Sequence, residues 1–227
     1  MHNIIIACDF KNATELYKFL EPFGNTTLFL KIGMELYYEE GKPLIRDLKA
    51  RGHKIFLDLK LHDIPNTIAK TLETLKDLDV EYITIHAGGG EVMLTAAAAA
   101  IKNTNTKLLA VTILTSISED MLKNELMITE SLENVVTRYA LMAYKAGIDG
   151  CICSPHEVPA IKHLLNDANF ICITPGIRLT GDAIGDQIRV MTPKQAFDHG
   201  ATKIVIGRSI TNSDTPYQTY KKISTEI

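Results

Sequence analysis

The sequence predicts one parallel (β/α)8 barrel, on three observations. Eight short apolar runs recur along the chain, amphipathic or alanine-rich stretches separate them, and 227 residues is a length that a single such barrel fills. The runs are Asn3–Asp9, Leu28–Gly33, Lys54–Leu59, Tyr82–His86, Leu108–Thr112, Gly150–Cys153, Phe170–Thr174 and Lys203–Gly207. Most are four to seven residues long and rich in Ile, Val and Leu, the composition of strands covered on both faces. The stretches between them include Pro43–Ala50, Thr67–Asp77, Glu91–Lys102 and Leu132–Ala146, each on a connection long enough for a crossover helix. Alanine is the best helix former, so Ala96–Ala100 reads as a helix lying close on the barrel. Strict alternation implies a parallel sheet with helices outside it, and eight units fit a closed barrel better than an open sheet. No linker-like stretch or composition break divides residues 1–227, so one catalytic domain is expected.

Composition narrows the function. Hydrophobic residues make up 46% and charged residues 22%, and the net charge is −3, which gives no electrostatic footprint for nucleic acid. An anionic ligand therefore needs a local basic site. The opening apolar stretch is too short for a signal peptide and is closed by Asp9. No stretch approaches a membrane span, and a cytoplasmic protein is expected. Cys8, Cys151, Cys153 and Cys172 each lie in an apolar run and read as buried thiols. Cys151 and Cys153 share a strand face, but no second Cys or His pair completes a zinc site.

Barrel chemistry sits at the C-terminal ends of the strands, and charges collect there. Run one ends at Asp9, and run two carries Lys31. Run three carries Asp58 and leads into Lys60, with Asp63 in the following turn. Asp58 and Lys60 are two apart and so face the same side, opposite Leu57 and Leu59. If the leucines face the helices, the charges face the barrel axis, where alternating signs lower the cost of burial. The favoured reading is a catalytic array of Lys31, Asp58, Lys60 and Asp63. The alternative is a structural ion-pair cluster, with Asp63 serving the N-terminus of the next helix.

Two connections are longer than packing requires, Thr115–Ser131 and Pro175–Met191, and loops of that kind are often lids or binding loops. The second carries Arg178 and Gln187, and run eight ends in Gly207-Arg208. Phosphate in this fold is commonly held after strands seven and eight. Glycine lets the backbone approach an anion, and arginine offers paired hydrogen bonds, so these residues read as a phosphate grip. Solvated loop arginines are the alternative. His86, beside Gly88–Gly90, reads as a hydrogen-bonded structural histidine, with ligand contact the alternative. His62 reads as structural.

The segment D-L-K-L-H-D-I-P-N-T at Asp58–Thr67 resembles the signature of the orotidine 5′-phosphate decarboxylases. The resemblance extends to A-C-D-F near the start, L-K-I-G-M-E in run two, T-I-L-T-S in run five, T-P-G-I-R in run seven and V-I-G-R-S-I in run eight. It implies a barrel enzyme of the monofunctional bacterial type that converts orotidine 5′-phosphate to UMP without metal or cofactor. It implies Lys60 as proton donor, Asp58 beside the substrate carboxylate, and Lys31 between Asp58 and the ribose. Asp9 would bind ribose, Thr115 the pyrimidine, and Arg178, Gln187, Gly207 and Arg208 the phosphate. Asp63, Ile64 and Thr67 would contact substrate, Asp63 and Thr67 by completing the neighbouring site of a homodimer. Two other readings stand beside it. Metal-dependent sugar-phosphate decarboxylases or aldolases of the same suprafamily share the Asp-x-Lys-x-x-Asp pattern, but use a strand-two glutamate as ligand where this chain has Lys31. A non-catalytic nucleotide-phosphate binding barrel would not require Lys60 between carboxylates.

Overall fold

The structure, a computed structural model, describes residues 3–179 and 190–227. Its strands are β1 (Ile4–Ala7), β2 (Phe29–Gly33), β3 (Lys54–Leu61), β4 (Tyr82–His86), β5 (Lys107–Val111), β6 (Gly150–Ile152), β7 (Ile171–Thr174) and β8 (Lys203–Ile206). Each pairs in parallel with the next, and β8 pairs with β1 through Ile4–Ile204 and Ile6–Ile206, so the sheet is a closed barrel in chain order. Every predicted run holds a strand, within two residues at either end.

The helices are α1 (Ala13–Leu20), α2 (Met34–Ala50), α3 (Pro65–Leu75), α4 (Gly90–Ala100), α5 (Glu119–Asn124), α6 (Leu132–Lys145), α7 (Val158–Leu165), α8 (Pro193–Asp198), α9 (Arg208–Thr211) and α10 (Pro216–Thr225). Several starts are set locally: the side chains of Asn12, Ser118 and Ser131 accept a backbone N–H in the first turn of α1, α5 and α6. Thr192 and Gln195 form a reciprocal capping box on α8. The predicted Pro43–Ala50 helix is only the second part of α2. Gly41, at φ +66°, breaks the helix just before Pro43, whose ring would clash with the carbonyl four residues back in an unbroken one.

Strand periodicity sorts the core into two layers. Ile4, Ile6, Leu30, Ile32, Leu57, Leu59, Ile83 and Ile85 belong to the cluster between sheet and helices. Ile5, Ala7, Phe29, Phe56, Tyr82, Leu109, Ile171 and Val205 fill the barrel. Phe29 stacks on Tyr82 with ring centroids 5.4 Å apart, and Phe56 meets Tyr82 edge-on at 5.9 Å. This aromatic plug floors the barrel. The next inward residues toward the mouth are Lys31 above Phe29, Asp58 above Phe56 and Thr84 above Tyr82.

The thiols are buried, as expected, but two strands bring them together. Parallel pairing sets Cys151 opposite Cys172, and the sulfurs of Cys151, Cys153 and Cys172 all lie within 4.8 Å of one another beneath α6 and α7. Sequence spacing shows only the Cys151/Cys153 pair. No fourth Cys, His, Asp or Glu among the described residues joins the group, and tetrahedral zinc takes four ligands.

Candidate active site

A cavity of about 730 Å³ opens at the C-terminal mouth of the barrel. Asp9, Lys31, Asp58, Lys60, Thr115, Arg178, Gly207 and Arg208 all line it. Eight of the twelve residues singled out from the sequence therefore meet at one site.

Its centre is an ionic chain. The Lys31 Nζ donates to Asp9 Oδ1 at 3.0 Å and lies 3.4 Å from Asp58 Oδ2, while Lys60 Nζ donates to the same Asp58 oxygen at 2.8 Å. Asp58 is 7% exposed, and burial alone would raise its pKa. The two ammonium groups and the hydrogen bonds from Lys60 and Thr84 outweigh that, holding the carboxyl below its usual range. Burial likewise opposes the charge on Lys31, but Asp58 and Asp9 together raise its pKa. Both charged forms are thus stabilised by their partners.

Asp63 does not join this chain of contacts within its own subunit. The backbone turns into α3 after Leu61, and the Asp63 carboxylate accepts the Ile64 N–H at 2.7 Å. Among the described residues of one chain, Asp58 is the acid beside Lys60, and the expectation for Asp63 concerns the neighbouring subunit's site. Asp63, Ile64 and Thr67 are exposed together at the start of α3, Ile64 at 67%. The cap of α3 is Ile64, with no side-chain cap bond from Asp63.

Across the mouth, Arg178 Nη1 donates to the Ile177 carbonyl at 2.9 Å. The base of the long loop after β7 is stitched by Arg178 N–H to Met191 O at 3.0 Å and Met191 N–H to Gly176 O at 3.1 Å. Gln187 lies outside the described residues. A β-carbon added to Gly207 would meet that of Ala7 on β1 at 3.4 Å, an ordinary van der Waals contact. His86 is half-buried, and its described contact is the ring of exposed His62, centroids 5.4 Å apart, rather than the expected hydrogen bond. Burial, then the charges of His62 and Lys60, holds its imidazole below the usual pKa.

Two residues at the site escaped the sequence search. Thr84 Oγ1 donates to Asp58 Oδ1 at 2.9 Å and accepts the Lys60 N–H at 2.8 Å. A β-carbon on Gly33 would lie 3.3 Å from Asp9 Oδ1 and 3.5 Å from Lys31 Nζ, so glycine keeps that ion pair unobstructed. Neither is charged, and a search for charges at strand ends passes over both. Inward parity on β4 singles out Thr84, though only strand register reveals its partners.

A closed parallel barrel with a buried aspartate between two lysines on one side of its mouth and arginines on the other defines a class, the α/β-barrel enzymes that act on small anionic substrates. Within that class, the chain belongs to the orotidine 5′-phosphate decarboxylase / HUMPS family, whose model matches residues 2–223. Among curated relatives it is 48% identical over 221 residues to orotidine 5′-phosphate decarboxylase of Staphylococcus haemolyticus, covering 96% of this chain and 95% of that one. It is 46% identical over 228 residues to the enzyme of that name from a Geobacillus strain, covering 98% of this chain and 95% of the relative. The crystal structure of orotidine 5′-phosphate decarboxylase from Lactobacillus acidophilus superposes with a TM-score of 0.88 at 39% identity, covering 100% of this chain and 99% of that one.

Proposed function

We propose that this protein decarboxylates orotidine 5′-phosphate to UMP, with Lys60 as proton donor and with no metal or cofactor. The carrying observation is the Asp58 carboxylate held between two ammonium groups, 2.8 and 3.4 Å away, at the wall of the mouth cavity. Loss of CO2 from C6 of the pyrimidine leaves an electron pair in the ring plane, which the π system cannot delocalise. A fixed ammonium beside C6 stabilises that pair electrostatically and then delivers its proton to the carbon. Asp58 holds the Lys60 amine in place and lies next to the substrate carboxylate. Lys31 bridges Asp58 and the ribose, which Asp9 also binds, while Thr115 contacts the pyrimidine. Arg178, Gln187, Gly207 and Arg208 grip the phosphate. Binding energy from that remote group contributes to catalysis at the reacting carbon.

The active unit in this reading is a homodimer. Asp63, Ile64 and Thr67 stand exposed at one edge, free to reach a second subunit's mouth, and Asp63 of the partner subunit would supply the second acid beside Lys60. Buried, free cysteines fit a reducing, cytoplasmic setting. Lys31 disfavours the metal-dependent alternative. Its pKa is raised by Asp58 and Asp9, and a protonated amine repels a divalent cation and offers it no lone pair. The test is an ultraviolet assay for conversion of orotidine 5′-phosphate to UMP in excess chelator. Turnover is expected. Activity restored only by added metal would refute the metal-free mechanism, and tight UMP binding without turnover would favour a binding barrel.

A further inference from the structure

We propose that Thr84 is a positioning residue whose hydroxyl locks the bulged backbone of β3, and so sets where the Asp58 carboxylate and the Lys60 amine stand. The inference rests on the decarboxylase reading and adds to it a residue that touches neither substrate nor solvent. Strand register is the starting point. Leu57 pairs with Ile83 and Leu61 pairs with Ile85, so four steps along β3 match two along β4. The surplus lies in Asp58–Lys60 and makes a β-bulge, a device that re-aims side chains at the cost of ladder hydrogen bonds. Lys60 takes a left-handed backbone, φ +49°, which non-glycine residues seldom adopt. Such a conformation persists where its surroundings over-determine it.

Thr84 is the one residue between the paired Ile83 and Ile85, and it is fully buried. The Lys60 N–H, 2.8 Å away, can only donate, so the hydroxyl accepts there. Its own proton then goes to Asp58 Oδ1 at 2.9 Å. One hydroxyl therefore replaces the missing ladder contact and ties down one carboxylate oxygen. The other oxygen, Oδ2, is left to face both Lys60 and Lys31. Without this anchor the carboxylate would be free to turn about its last bond, and the Lys60 backbone would lose the partner for its N–H. The phosphate grip is across the mouth, on β7 and β8, so the consequence falls on the chemical step rather than on substrate capture.

The experiment compares Thr84→Val, Thr84→Ala and Thr84→Ser with wild type, measuring kcat and KM for orotidine 5′-phosphate against pH, with folding checked by thermal melts. Val and Ala are expected to lose roughly tenfold to a hundredfold in kcat, the scale of small misplacements at a reacting centre, with KM within about threefold. Ser keeps the oxygen and should keep kcat within about threefold of wild type. The acid limb of the Val profile should move to higher pH, because Asp58 loses a hydrogen bond that favours its charged form. If Val does not fold, the Ala/Ser pair, which differs by one oxygen, carries the comparison. Wild-type kcat in Val or Ala overturns the proposal, as does a Ser variant as impaired as Ala. A wild type that fails to decarboxylate sinks the parent reading, and that control separates the two failures.

Discussion

Asp58→Asn keeps the shape of the buried side chain and removes one charge from the centre of the array. At an effective dielectric of about 20, the Lys60 pair at 2.8 Å and the Lys31 pair at 3.4 Å are worth about 6 and about 5 kcal/mol of Coulomb attraction. Most of that is offset by stripping water from a carboxylate that is 7% exposed. Lys31 also retains Asp9, and Lys60 can relax toward solvent. A net loss of about 3 kcal/mol is expected, at the lower end for breaking a buried pair. For a chain of this length that is a fall in Tm of about 6–12 °C. Urea unfolding across pH gives the sharper assay. The carboxyl's folded pKa is depressed, so its contribution is complete above the unfolded value of about 4 and is lost as pH falls through the lower folded value. The gap between wild type and variant should stay constant from about pH 8 to pH 5 and narrow below about pH 4. Turnover should fall by at least about a hundredfold at neutral pH. Equal stability at pH 7, or a gap that widens on acidification, would refute the claim that the two ammonium groups stabilise this carboxylate.

Lys60→Ala should lower turnover by about 10²–10⁴-fold in a chain that still folds, with Tm lowered because buried Asp58 loses one of its two ammonium partners, and substantial activity in that variant would remove Lys60 as proton donor. Arg208→Ala should cost about tenfold to a hundredfold with the phosphorylated substrate and far less with the truncated nucleoside; equal losses on both would argue against phosphate contact. Mixing inactive Lys60→Ala with inactive Asp63→Ala under conditions of subunit exchange should restore about a quarter of wild-type activity, since half the dimers become mixed and each has one intact site. No recovery, with exchange shown by mass, would place Asp63 outside the partner's site.

Reading the chain alone reached the barrel because each strand carries its own record of burial. The Ile-, Val- and Leu-rich runs mark segments covered on both faces, and a charge inside such a run marks where the cover ends. Lys31 and Asp58 were legible in this way. So was their shared orientation with Lys60, although the step from Asp58 to Lys60 proved to be a bulge rather than regular strand. The arginines and Gly207 were legible from their place after the last two strands. Thr84, Gly33 and the meeting of Cys172 with Cys151 and Cys153 were not, since each depends on a neighbour from a distant part of the chain.

Sequence alone determined the number of strands, their inward and outward faces and the sign of the charges at their ends, because partition between water and core acts on each residue locally. Tertiary structure decided the rest. The offset between β3 and β4, the hydroxyl that fills it and the meeting of Cys172 with Cys151 and Cys153 follow from how eight strands shear past one another to close a ring. Those contacts are hydrogen bonds and ion pairs with steep distance dependence, and no local pattern records which partner the closed barrel will bring within reach.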